Sequence, residues 1–186
     1  MNIPREHRVI IVIACSIFLF LAVLYIRRFS TLLRNKWVPT IGTFPRQKKL
    51  IKEHISIETW ATMIDLWCGH GGTLRFFAKN YTCSSLVGVD LNNIAIQCGK
   101  ILHRWKWYDT IELFAKNMYS VDLQPYDYVY IFLMPNIMQQ VQDRFETHLP
   151  EHTTVICMAF RLPTRTPTQI IKDTDGTPKI FLYKKS

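Results

Sequence analysis

At 186 residues the chain has room for one ordinary domain of about 100–150 residues plus an appendage, and its formal net charge of +9 invites a nucleic-acid reading. The charge is confined to one end: residues 1–52 hold ten Lys or Arg against one Glu, whereas residues 53–186 hold thirteen of each sign. A basic domain is thereby excluded and nucleic-acid binding becomes a minor reading, while five cysteines without a Cys-x-x-Cys pair indicate a reducing compartment and six scattered histidines support no metal site.

A short segment, 1–8, precedes Val9–Ile26, which is 18 residues without a charge, Pro or Gly. As a helix it spans about 27 Å against a hydrocarbon core of roughly 30 Å, so the sequence predicts a transmembrane helix over 9–26. No small-x-small cleavage site follows it, and the apolar run continues beyond Cys15, which argues against a removed signal. Arg27, Arg28, Arg34 and Lys36 follow the span, so the positive-inside bias predicts a single-pass membrane protein with its domain on the cytoplasmic side, the inner membrane if the cell is bacterial. Membrane lipid is the first expected partner, through this helix and its basic flank. Residues 27–45, with Pro39, Gly42 and Pro45, read as a basic juxtamembrane linker, and 46–186 as the domain.

The domain opens with a predicted basic amphipathic helix over 46–54, carrying Leu50, Ile51 and His54 on one side. Strand and helix then alternate: a strand over Ala61–Leu66, a helix over Gly72–Lys79, a strand over Ser85–Asp90, and a helix capped by Asn92 or Asn93 that runs to about Trp105. Trp105 and Trp107 are expected to pack at that helix end, with contact to a bilayer interface as the alternative. Strands over Thr110–Lys116 and Asp127–Leu133, a helix over Asn136–His148, a strand over Thr153–Phe160 and a last strand over Lys179–Tyr183 complete the pattern. Short links between alternating elements imply right-handed crossovers, hence an α/β, Rossmann-like fold with a mostly parallel sheet, helices on both faces, and a ligand above the carboxyl ends of its first strands.

Ile64-Asp-Leu-Trp-Cys-Gly-His-Gly-Gly72 is the most informative stretch, because the acidic-ended run Leu86-Val-Gly-Val-Asp90 follows it at about the spacing of a nucleotide-type site. A dinucleotide fold wants a third glycine where Leu74 stands, and no Gly-Lys-Ser/Thr ending marks a phosphate loop. An acid, Asp65, followed by Gly69 and Gly71 suits a phosphate-free zwitterionic ligand: Asp65 can organise the turn and sit near an ammonium, and Asp90 can accept both ribose hydroxyls. His70 is read as lining the ligand or as an exposed loop residue. An oxidoreductase using a nicotinamide dinucleotide is disfavoured by Leu74 and by the lack of an acid/base group in the turn.

On these residues the chain resembles the class I S-adenosylmethionine-dependent methyltransferases, whose first motif is usually Asp-x-Gly-x-Gly-x-Gly. Here it stands as Asp65-Leu-Trp67-Cys-Gly69-His-Gly71, with Trp67 at a position usually held by glycine. Gly88-Val-Asp90-Leu-Asn92 looks like the ribose-binding strand end, and Ala115-Lys-Asn117-Met118-Tyr119 like the segment that meets the adenine. Four further features resemble the small protein-lysine methyltransferases that include the mitochondrial enzymes acting on the ATP synthase c subunit, with bacterial and archaeal relatives. They are the N-terminal apolar segment, Val38-Pro39-Thr40, a strand ending Leu133-Met134-Pro135, and Ala159-Phe160-Arg-Leu-Pro163.

The resemblance implies S-adenosyl-L-methionine as cofactor, held by Asp65, Trp67, Gly69, Gly71, Asp90, Asn117 and Met118. It implies transfer of methyl to a lysine of a membrane or membrane-associated protein, with Leu133, Met134 and Pro135 positioning the acceptor and no side chain assigned as a catalytic acid, base or nucleophile. The alternative is a catalytically degenerate, membrane-tethered binding or assembly module, its cofactor turn altered by Trp67. An indole forced to positive φ at that position costs on the order of 1–3 kcal/mol.

Overall fold

The computed structural model describes residues 5–34 and 42–184, with side chains at 11, 13–26, 42–177 and 179–184. They fall into two compact units, Met1–Pro39 and Thr40–Ser186. The Val38-Pro39-Thr40 segment lies outside the described residues.

In the first unit, Arg5–Arg34 is a single 30-residue helix, α1. The expected helix over 9–26 is therefore helical, and the helix continues through the first eight positions expected of a linker. The expected membrane crossing is not borne out: among the described residues no helix is long and apolar enough to cross a membrane.

The second unit opens with α2 (Pro45–His54), whose first turn has Pro45 at its start and the Phe44 N–H donating to Gln47 Oε1 at 2.9 Å. Its buried residues are Leu50 and Ile51, and His54 is exposed, contrary to its expected position beside them. Arg46 ties the helix to the far end of the chain through an ion pair of 2.8 Å with the buried Asp173.

A seven-stranded sheet follows, built from β1 (Thr62–Asp65), β2 (Ser85–Asp90), β3 (Ile111–Ala115), β4 (Tyr128–Ile131), β5 (Thr154–Met158), β6 (Gln169–Lys172) and β7 (Pro178–Lys184). The helices are α3 (Gly72–Asn80), α4 (Asn93–Trp105) and α5 (Met138–His148), with short 3-10 turns at Met118–Ser120 and Pro135–Ile137. The strand order is β3-β2-β1-β4-β5-β7-β6. The first five strands pair in parallel, and β7 runs antiparallel between β5 and β6. The mostly parallel sheet agrees with the sequence expectation. β6 was missed, because residues 164–177 carry turn residues and alternate too weakly to mark a strand.

Apolar strands make the parallel half a core. Met63, Ile64, Val129, Ile156 and Cys157 are fully buried, and Phe77 of α3 packs edge-on against Tyr130 of β4 with ring centroids 5.8 Å apart. From β1 the chain winds outward through β2 to β3, then returns to β4 on the other side of β1. That reversal between β1 and β4 opens a crevice at their carboxyl ends, where open α/β sheets bind ligands. The register brings Asp65 opposite Gly88 and Tyr130, and Asp90 opposite Ala115, so the last residues of β1, β2 and β3 share that edge.

Candidate functional site at the carboxyl edge of the sheet

Asp65 ends β1 and is buried. Its Oδ1 accepts the Trp67 N–H at 3.1 Å, so the carboxylate closes the turn that leaves the strand. Asp90 ends β2 and reaches across the same turn: Oδ2 accepts the Gly69 N–H at 2.9 Å and Oδ1 the Asn92 N–H at 2.7 Å. Burial raises the Asp90 pKa against the pull of these two N–H groups. At Asp65 burial dominates, the Trp67 N–H opposes it and the charge of Asp90 adds to it, and the carboxyl is raised to about 7. Neither acid has a Lys, Arg or His partner among the described residues, whose ion pairs are Arg46–Asp173 and Lys49–Glu53. Asp65 accepts one backbone N–H and Asp90 two, so both carboxylates keep acceptor capacity to spare. Two buried, unneutralised carboxylates therefore flank one glycine turn, an arrangement suited to a cationic ligand rich in donors.

The turn itself is shaped by glycine. Gly69 and Gly71 have φ of 56° and 76°, and Gly71 is the N-cap of α3. A Cβ at Gly71 would stand 2.7 Å from His103 Cε1 on α4, so both the left-handed backbone and the space require glycine there. Behind the turn Arg75 acts as a brace. Its Nη1 donates to the His70 carbonyl at 2.8 Å and lies 2.8 Å from His103 Nε2, and its Nη2 lies 3.0 Å from His70 Nδ1. Arginine donates only, so His103 Nε2 accepts and its proton sits on Nδ1, which is buried without a partner. Burial, then Arg75 and His70, lower the His103 pKa to about 4. Gly99 lets α4 approach this closely: a Cβ there would lie 2.8 Å from the His70 carbonyl oxygen.

Trp67 does not carry the strain that a positive φ would impose; the described non-glycine residues with positive φ are Trp60, Trp107 and Ala159. Its indole is 8% exposed, and Nε1–H is buried with no hydrogen-bond partner. A buried donor without an acceptor costs about 1–3 kcal/mol unless a ligand or water supplies one.

The other expected residues lie at the same edge with different degrees of commitment. Asn117 is exposed, and its side-chain oxygen accepts the Tyr119 N–H at 3.0 Å, capping the 3-10 turn and leaving its amide N–H groups available. Met118 is buried in that turn. Beyond β4, Leu133 is buried, Met134 half-buried and Pro135 exposed as the first residue of a 3-10 turn. His70 is exposed, held by Arg75.

Sequence reasoning missed the Arg75–His103 brace, although His103 sits one turn beyond Gly99 on the buried side of α4. It also missed a buried hydroxyl cluster in which Thr43 Oγ1 lies 2.6 Å from Tyr130 Oη and 2.9 Å from Thr73 Oγ1 of α3.

The sequence pattern described as the ANTKMT methyltransferase domain matches residues 65–169, which is 105 of the 186 residues and contains both acids and the glycine turn. The chain belongs to this methyltransferase family. Among relatives, a protein-lysine N-methyltransferase of Saccharolobus islandicus (strain REY15A) is 24% identical over 153 residues, covering 79% of this chain and 95% of that protein. The adenine nucleotide translocase lysine N-methyltransferase of Mus musculus is 25% identical over 150 residues, covering 78% of this chain but 62% of the mouse protein.

Solved structures agree in fold. An RNA methyltransferase from Salinibacter ruber in complex with S-adenosyl-L-homocysteine aligns with a TM-score of 0.68 at 16% identity, covering 77% of this chain and 93% of that one. The putative methyltransferase yhhF from Escherichia coli aligns with a TM-score of 0.61 at 12% identity, covering 80% and 91%. The ANTKMT-family chain is an S-adenosylmethionine-dependent methyltransferase with a Rossmann-like, mostly parallel sheet. The residues present fit that cofactor: the uncompensated acids match its positive charge, and the orphaned Trp67 N–H offers a donor.

Proposed function

We propose that the protein transfers the methyl group of S-adenosylmethionine to a lysine side chain of a protein substrate held at a membrane. The observation that carries the cofactor half is the buried pair Asp65 and Asp90, flanking the Gly69–Gly71 turn without a cation of their own. In this reading Asp65 answers the ammonium of the methionine end and Gly69 and Gly71 let the backbone approach it. Asp90 takes the ribose hydroxyls, and Asn117 and Met118 border the adenine. Trp67 lends its indole N–H to the pocket, and Leu133, Met134 and Pro135 form the wall beside the acceptor.

The sulfonium supplies an activated methyl and its own leaving group, so the work left to the chain is to bind, align and exclude water. No side chain is assigned as nucleophile or base. Lysine as acceptor is supported by the two relatives whose names specify it.

Membrane attachment, with the domain on the cytoplasmic side, is supported by α1 and by the sequence beside it. Ile13, Ile17, Phe18, Leu19, Phe20 and Leu21 are all exposed and surround the helix, and a helix apolar on every side is one that another apolar medium covers. Arg27, Arg28, Arg34 and Lys36 follow the apolar stretch, as the positive-inside bias requires for that orientation.

The test uses the full chain in nanodiscs, titrated calorimetrically with S-adenosylhomocysteine and then supplied with methyl-labelled cofactor and membrane proteins. Binding is expected, with Asp90→Ala weakening it at least tenfold, about 1.4 kcal/mol, and label is expected in methylated lysine after acid hydrolysis. No heat from folded protein at ~1 mM ligand would leave any affinity weaker than about −4 kcal/mol and hand the chain to the tethered, non-catalytic reading. Label on another amino acid would remove lysine as the acceptor.

A further inference from the structure

α4 has two faces of different character. Ile96, Gly99 and His103 are buried against the sheet and the cofactor turn. Ile94, Cys98, Ile101 and Trp105, spaced four, three and four residues apart, fall on the opposite side within an arc of about 60°, and all four are exposed. Ile101 is 71% and Trp105 77% exposed, and Trp107, just past the helix, is 83% exposed. The expectation that the two indoles pack at the helix end is therefore not met.

Trp107 is held there against its own preference. Its φ is 56°, in the left-handed region where a helix usually ends on glycine, and the chain reverses beside it through Tyr108 N–H to His103 O at 3.1 Å. Neither packing nor backbone favours an indole at this position. A strained residue that the fold does not use points to a use outside the fold.

The charge around the stripe narrows what that use is. Lys100 and Arg104 line its flank and Lys106 stands between the two indoles. Lys100 lies over the Phe114 ring at 5.8 Å. Asp109 and Glu112 are close by, and residues 91–116 still hold four Lys or Arg against two acids. The stripe itself lies along the outward side of one helix, and indoles interleaved with cations are the composition of a membrane–water interface.

We infer that the outer face of α4, with Ile94, Ile101, Trp105 and Trp107, rests on an anionic lipid surface. The inference depends neither on which side chain accepts the methyl group nor on whether α1 enters the bilayer.

The full chain is mixed with vesicles of phosphatidylcholine containing phosphatidylserine, with and without brominated acyl chains, and both flotation and tryptophan quenching are read. The comparison is the Trp105→Phe/Trp107→Phe double variant, which retains Trp37, Trp60 and Trp67. The wild type is expected to float and to be quenched, and the double variant to float while losing most of the quenchable signal. That loss is expected to shrink on purely zwitterionic vesicles.

Trp107→Gly provides a separate readout, with a raised thermal midpoint as the left-handed position is relieved and reduced quenching of the remaining Trp105. Flotation with equal quenching in both proteins would overturn the inference and leave the tether standing. Failure to float on anionic vesicles, or a quenching loss indifferent to lipid charge, would also overturn it.

Discussion

Asp65 has two consequences that oppose each other in pH. Its carboxyl is raised to about 7 in the folded protein, from an ordinary value near 3.8, first by burial. The folded state therefore holds the proton more tightly, and this stabilising contribution is complete below about 4 and lost as pH rises through 7. Binding of a cationic ligand beside Asp65 wants the proton gone, so affinity for the cofactor is expected to rise about tenfold per pH unit on approaching 7 from below, then level off. Titration calorimetry at pH 5.5, 6.5 and 7.5 checks the slope, and Asp65→Asn should remove it. A flat wild-type profile would mean that Asp65 does not face the cation.

Trp67 is the other decisive residue, and the one whose identity alone was least informative. A sequence cannot say whether a bulky residue in a glycine motif meets a positive φ; here it does not, and the ring is buried. Trp67→Gly is accordingly expected to cost about 3 kcal/mol of folding stability as a buried ring is removed, with cofactor affinity unchanged within about tenfold. Denaturant unfolding and calorimetry read the two numbers. A large gain in affinity would instead mean that the natural indole obstructs the site.

At the scale of elements, the β1–α3 turn is held from behind by α4, and His103 is the contact that titrates. Burial, Arg75 and His70 lower its pKa to about 4. Its neutral form is the one the fold accommodates, so its contribution is complete above about 6.5 and is lost as pH falls towards 4. His103→Gln keeps an acceptor for Arg75 and removes the titration. Thermal midpoints of wild type and variant should therefore run parallel near pH 7.5 and diverge on acidification, the wild type falling further; parallel curves down to pH 4.5 would dismiss His103 as the sensor.

Elements were legible where the physics is local. β2 ran as read, from Ser85 to Asp90, because an apolar run that ends in an acid leaves little choice, and Asn92 caps α4 as its type predicts, accepting the Ala95 N–H at 3.2 Å. Partnerships were not legible. Nothing in the order of residues says that Arg75 will find His103, or that Ile170 and Ile171 will pair with the last strand, because those contacts exist only once the sheet has closed.

For the whole molecule, the separation into Met1–Pro39 and Thr40–Ser186 assigns every strand and all the buried residues named in the core to the second unit. A chain beginning at Thr40 is expected to unfold in one cooperative transition and to bind cofactor within about twofold of the full chain, since none of the site residues is lost. Its methylation of a membrane-held acceptor should fall by one to two orders of magnitude, roughly what losing a tether's local concentration removes. Calorimetry and labelling of the same membranes with both chains measure the two effects, and equal labelling would deny α1 any part in substrate choice. The uneven distribution of charge is legible in the sequence at a glance. That the strands and helices after Thr40 share one core required the structure.

The hydroxyl cluster at Thr43 gives the molecule a mechanical property. Thr43 is among the first residues of the domain, yet its Oγ1 grips Tyr130 on the central sheet and Thr73 in the first turn of α3. A displacement of Thr43 is therefore passed within one hydrogen bond both to β4 at the centre of the sheet and to α3, whose N-cap is Gly71, so the core and the glycine turn feel it together.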